Sequence, residues 1–235
     1  MARTALAAVA LGFFLGGSPV AEAVPPAKPT ARAKKGVNPA KPTPAPAAKP
    51  NATPATQPLE EFCLLIEPLD GPAVKQPIKG ADRTALVPGR ETSIGVRYYT
   101  AQEFEELKLG WAGFRAKAAE TADRVIARMK PEWFRDPKGL VRYAVLKSSS
   151  QLTASTVFGQ KFRALFRESM GDELVLLIPD RSTVYVFPRS MGEYKDFGKT
   201  ILLSYADAVY PVSYEVFVLN RDGLSCLGSF NTGDE

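Results

Sequence analysis

The chain contains no histidine. That removes the commonest general base near neutral pH and the commonest neutral metal ligand. Ser-His-Asp and Cys-His catalysis are excluded with it. Only two cysteines are present, too few for a structural zinc site, and carboxylates alone suit harder metals. There is no glycine-rich phosphate loop: G-x-G-x-x-G, the Walker lysine pattern and G-x-S-x-G are all missing. No metal and no cofactor is therefore expected, and enzymatic activity is the less favoured reading.

A basic excess is also missing where a nucleic-acid binder would need it. The net charge of +5 is carried by one tract: residues 24–58 hold six basic residues and no acid. Residues 59–235 hold 23 basic and 24 acidic residues, a net of −1. Phosphate neutralisation needs clustered Lys and Arg, so no nucleic-acid partner is expected.

What is present begins with an export pattern. Arg3 is followed by an apolar core, Ala5–Leu15, and by the small-x-small site Ala21-Glu22-Ala23. This reads as a signal peptide over residues 1–23. A membrane span needs roughly 20 apolar residues, and Gly16-Gly17-Ser18-Pro19 interrupts this run first. A retained anchor is the alternative. Export places the chain in a periplasmic or extracellular setting.

Residues 24–58 form a Pro/Ala/Lys-rich tract in which ten of 35 residues are proline. Proline forbids helix interiors and sheet ladders, and the tract has too little apolar surface to bury a core. It reads as a disordered spacer. Its dispersed charges offer a second use, as a tether to an anionic polymer or membrane surface.

Residues 59–235 read as a single α+β domain. The expectation is a mixed, largely antiparallel sheet of about six or seven strands packed by three or four helices. A compact apolar run marks a strand at Phe62–Ile66, partial alternation marks one at Thr92–Tyr99, and a third is expected at Leu140–Leu146. Thr100-x-x-Glu103 is a capping box before a short helix, Ala101–Leu107. Helical spacing continues over Trp111–Met129, Ser155–Glu168 and Glu193–Ala208. Pro and Gly make residues 68–90 and 131–139 read as loops. Asn220-Arg221-Asp222-Gly223 is a hairpin turn. A domain of this length buries roughly 70% of the surface its unfolded chain exposes.

The centre of the domain is Gly171–Pro188. Two apolar runs, Leu174–Ile178 and Val184–Phe187, flank Asp180-Arg181-Ser182-Thr183. Polar residues at a strand end are a common place for a site. Asp180 and Arg181 are the candidate binding residues: Arg181 could take a carboxylate or phosphate with Asp180 orienting it. The plainer reading is a turn between antiparallel strands. A carboxylate-based hydrolase, with Asp180 working beside Glu103 or Glu106, is the enzymatic alternative. Cys63 and Cys226 fall in the first and last strands. A bridge between them would stabilise the fold by up to roughly 5 kcal/mol, and two buried thiols are the alternative.

Gly171-Asp172-Glu173-Leu174-Val175, Ile178-Pro179, Arg181, Phe197-Gly198 and Tyr210-Pro211-Val212-Ser213 together carry a family likeness. Over about residues 92–230 the chain resembles the YtpQ-like family of bacterial proteins, a domain family without an assigned function. The resemblance implies an α+β fold and no particular reaction. The sequence thus points to an exported, non-enzymatic binding module whose partner is an unknown protein or envelope component.

Overall fold

The computed structural model describes residues 59–230. The expected signal segment 1–23 and the tract 24–58 lie outside the described residues. Strand β7 (Leu174–Asp180) is buried along all but its last residue. It is buried because both its faces are covered. Leu174, Leu176 and Ile178 point into the main core, while Val175 and Leu177 enter a second cluster with Phe187, Ile201, Val216 and Val218. A strand with two covered faces needs a continuous apolar run rather than an alternating one, which is what Leu174–Ile178 supplies.

β7 lies inside a six-stranded antiparallel sheet. Its members are β5 (Glu132–Arg135), β6 (Val141–Lys147), β7, β8 (Thr183–Pro188), β9 (Glu215–Asn220) and β10 (Gly223–Ser229). Their order across the sheet is β10-β9-β7-β8-β6-β5. The β7–β8 hairpin pairs Leu174 with Pro188 and Leu177 with Tyr185, then shifts register before Asp180 meets Thr183. The β9–β10 hairpin turns at Arg221-Asp222, and Gly223 has a φ of 112°, a region costly for any side chain.

A second antiparallel sheet is built from β1 (Cys63–Pro68), β2 (Gln76–Pro77), β3 (Thr84–Thr92) and β4 (Gly95–Tyr98), with β1, β2 and β4 all paired to β3. The expected six or seven strands are thus met by the larger sheet, and four shorter strands form another. β3 runs through Pro88 and Gly89, inside a segment that reads locally as a loop. Its first part pairs with β1 as far as Gly89, and from Gly89 onward it pairs with β4. Pairing on both sides outweighs the local turn preference. β5 likewise lies within a segment read as loop.

Four helices complete the α+β fold: α1 (Ala101–Glu106), α2 (Gly110–Ile126), α3 (Gln160–Met170) and α4 (Gly198–Ala206). Phe114, Ala118, Ala122 and Ile126 bury one stripe of α2, and Phe162, Phe166 and Met170 one stripe of α3. The long helix expected over 155–168 is instead a 3-10 turn, Ala154–Phe158, followed by α3. Gly159 divides them because it lies against α2: a Cβ there would come within 2.5 Å of Asp123 Oδ1. Asp123 Oδ1 in turn accepts a hydrogen bond from Lys161 N at 2.7 Å, so α2 caps the start of α3. The helix expected over 193–208 divides in the same way, into a 3-10 turn Glu193–Phe197 and α4.

The capping box at α1 is present as expected. Glu103 N donates to Thr100 Oγ1 at 3.2 Å, and Thr100 N donates to Glu103 Oε2 at 2.9 Å. Arg90 and Arg97 both reach the same carboxylate. The Thr100 backbone N–H, with Arg97 beside it, pulls the Glu103 carboxyl down to about 2. Its value in the unfolded chain is about 4.3. The folded state therefore releases this proton more readily, and the stabilisation is fully present above the unfolded value. It is lost as pH falls through about 2. Thermal melts of the wild-type chain and Glu103→Gln should accordingly converge as the buffer is acidified towards pH 2. Parallel curves across the acid range would rule this out.

Candidate functional site

Asp180 and Arg181 are neighbours in sequence with different fates. Asp180 Oδ1 accepts from Ser182 N at 2.6 Å and from Ser182 Oγ at 2.5 Å. That is turn chemistry. Arg181 is 7% exposed and points inward. Its Nε donates to Glu67 Oε1 at 2.8 Å, one Nη donates to Gln151 Oε1 at 3.2 Å, and the other donates to the Tyr98 hydroxyl. The guanidinium also lies 5.1 Å from the Tyr210 ring centroid and 5.5 Å from that of Tyr98. Burial pushes the Glu67 carboxyl up against the downward pull of Arg181, and burial pushes the Tyr98 hydroxyl up to about 12. Glu67 belongs to β1 and Arg181 to the β7–β8 turn, so the pair ties the two sheets together. Each nitrogen of the guanidinium already has a partner within the domain.

Asp180 and Glu103 are not brought together. Asp180 is engaged by Ser182, whereas Glu103 is held by Thr100, Arg90 and Arg97. Glu105 and Glu106 are exposed on α1.

Of the two readings for Cys63 and Cys226, a bridge or two thiols, the structure has the second: both thiols are free. The residues lie on different sheets and in different packing environments. Cys63 is packed with Leu65, Val87, Val125 and Leu152, and its Sγ donates to Glu60 O at 3.5 Å. Burial pushes its thiol up to about 12. Cys226 is half-buried on β10 with its Sγ directed to Gly228 O at 3.3 Å. Each behaves as a small hydrophobe.

A cleft of about 880 Å³ is the strongest candidate for a site. Three surfaces enclose it: one face of α3, the tip of the β9–β10 hairpin, and the segment Pro77–Lys79 beside β3. Its floor is aliphatic, with Leu64, Ile78, Leu86, Val157, Leu174 and Leu219. Its rim is cationic. Lys79, Arg115, Arg163, Arg167 and Arg221 line it against two carboxylates, Asp172 and Asp222, a local net of +3.

The charges on the rim are unevenly committed. Asp172 binds Arg167 Nε at 2.7 Å and an Arg221 Nη at 2.9 Å, drawing α3 and the hairpin tip together. Those two arginines remain 65% and 69% exposed, so their forks still meet solvent. Arg115 donates to Gln76 Oε1 at 2.9 Å. Arg163 and Lys79 form no ion pair among the described residues. The lining holds no serine, threonine, cysteine or tyrosine. Anion recognition is within its chemistry.

Sequence reasoning missed this rim because it averaged charge over the whole domain. A narrower signal existed. Gln160, Arg163, Ala164 and Arg167 stand at helical i, i+3, i+4, i+7 spacing, a polar stripe opposite Phe162 and Phe166. The sequence could not show that this stripe faces another surface. Among the described residues no cluster of His, Cys, Asp and Glu could hold a metal ion, and no helix is long and apolar enough to cross a membrane. Comparison with protein-family models, with curated proteins and with solved structures finds no match to this chain.

Proposed function

We propose that the chain is a non-enzymatic binding module, exported and carried on the basic tract 24–58, that takes an anionic ligand with an apolar part into the cleft between α3 and the β9–β10 hairpin. One observation carries this reading: five cationic side chains surround an aliphatic floor. A pocket of this volume with a few convergent polar groups is the usual form of a small-ligand site. The likeness of residues 92–230 to the YtpQ-like family contributes to this reading through the fold alone. The hydrolase alternative finds little support, since Asp180 and Glu103 each have other partners.

The reading is tested with an anionic naphthalene sulfonate dye, titrated into the full chain and followed by fluorescence. A saturable enhancement should weaken about tenfold or more when Arg163 and Arg167 are both changed to Glu, because charge-assisted hydrogen bonds are replaced by repulsion. Equal binding by the two proteins would remove the cleft as the site. Keeping the basic tract in both proteins makes any binding by the tract cancel.

A further inference from the structure

We infer that the ligand of this cleft is a single-chain alkyl phosphate: an aliphatic chain seated on the floor and a dianionic head among the rim arginines. The inference rests on the binding-module reading and narrows its ligand to one chemical class. The floor disfavours one large group of anions. Bases and other aromatic groups gain from stacking on rings, and Phe158 is the only aromatic residue in the lining. Leucine, isoleucine and valine, with Pro77 and Ala164, provide the rest of the apolar surface, which suits methylene groups.

The rim selects the head group. A local net of +3 remains after both carboxylates are counted. A dianion neutralises more of it than a carboxylate does, and arginine forks match phosphate oxygens in pairs. Position matters as well as charge. Asp172 occupies the space between Arg167 and Arg221 and repels an anion there. Arg163 and Lys79, which have no ion pair among the described residues, and Arg115, bound only to the neutral Gln76, mark the open part of the rim. The head group sits at that part, with its chain lying over Leu64, Leu86 and Leu219.

The test is titration calorimetry of the full chain with hexyl, octyl and decyl phosphate below their micelle concentrations. Decanol, decanoate and inorganic phosphate serve as comparison ligands. Saturable one-to-one binding is expected, with affinity rising by about fourfold for each added methylene. Decyl phosphate should exceed decanol and decanoate by about tenfold or more. Arg115→Gln, at an exposed position, and Arg163→Gln, at a half-buried one, should each weaken decyl phosphate without altering the far-ultraviolet dichroism. A flat dependence on chain length overturns the assignment, as does decanoate matching decyl phosphate, or inorganic phosphate binding as tightly as decyl phosphate. If the dye still binds in a manner that depends on Arg163 and Arg167 while alkyl phosphates do not bind, the ligand class is wrong and the site survives. If neither binds, the binding-module reading fails as well.

Discussion

Arg181→Met should lower the unfolding free energy by about 3–5 kcal/mol in urea denaturation of the full chain. The residue is 7% exposed and its partner Glu67 is 3% exposed. Removing the guanidinium leaves a carboxylate in the interior with the Tyr98 hydroxyl, 3.0 Å away, as its remaining hydrogen-bond donor. A domain of this kind is stable by only about 5–15 kcal/mol, so the loss is a large share of the whole. The pH dependence has a definite sign. Burial already holds the Glu67 carboxyl above its ordinary value, and without Arg181 the upward displacement grows. Between the unfolded and folded values the native state then binds the proton that the unfolded state has released, so the variant gains stability as pH falls through that window. The deficit is therefore widest near neutrality and narrows on acidification. Adding Glu67→Leu to Arg181→Met should recover much of it, because an apolar pair carries no stranded charge. A single variant within about 1 kcal/mol of wild type would show that the pair does not hold the sheets together.

A second tie lies further along the same two sheets. Glu215 is 2% exposed at the start of β9. Its carboxylate accepts from Asp82 N at 2.8 Å, Arg83 N at 3.1 Å, Thr84 Oγ1 at 2.5 Å and Ser213 Oγ at 3.4 Å. The donors Asp82, Arg83 and Thr84 lie just before or at the start of β3, in the smaller sheet. Glu215→Ala strands these donors, and about 3 kcal/mol of destabilisation is expected from the loss of several bonds to one charged acceptor. Glu215→Gln separates the causes. Its amide oxygen can still serve the two backbone N–H groups, and the Thr84 hydroxyl can turn to accept from the new amide nitrogen. The Gln variant should therefore lose only about 1 kcal/mol. Chemical denaturation of both variants decides the matter: if Ala is no worse than Gln, the carboxylate is not the acceptor that organises the start of β3.

These two ties also mark what could be read from the sequence. Local signals were legible where a residue's partners are close in the chain. The Thr100–Glu103 box, the turn at Gly223 and the β7–β8 hairpin all have partners within a few residues. The partition into two sheets was not legible, because alternation tells which face a side chain takes and not which strand lies beside it. Pro88-Gly89 misled for the same reason: its surroundings are supplied by β1 and β4 rather than by its neighbours. Arg181 was legible as a special residue and not as a buried one, since Glu67 is 114 positions away. The cleft was the least legible feature. Its cations come from α2, α3, the hairpin tip and Lys79, and they disappear into the near-zero charge of the domain as a whole.

The distances in sequence bridged by the two ties have a consequence for how the chain reaches its fold. The strands of the larger sheet lie within residues 132–229, and β5–β6, β7–β8 and β9–β10 pair with their immediate successors. Glu67 and Thr84 instead wait for partners 114 and 131 positions downstream. On a chain synthesised from its N-terminus, β1–β4 is complete before the residues that satisfy its buried polar groups have been made. Closing such long loops costs entropy before any contact rewards it. The smaller sheet is therefore expected to dock late, with Glu67 hydrated until the β7–β8 turn delivers Arg181.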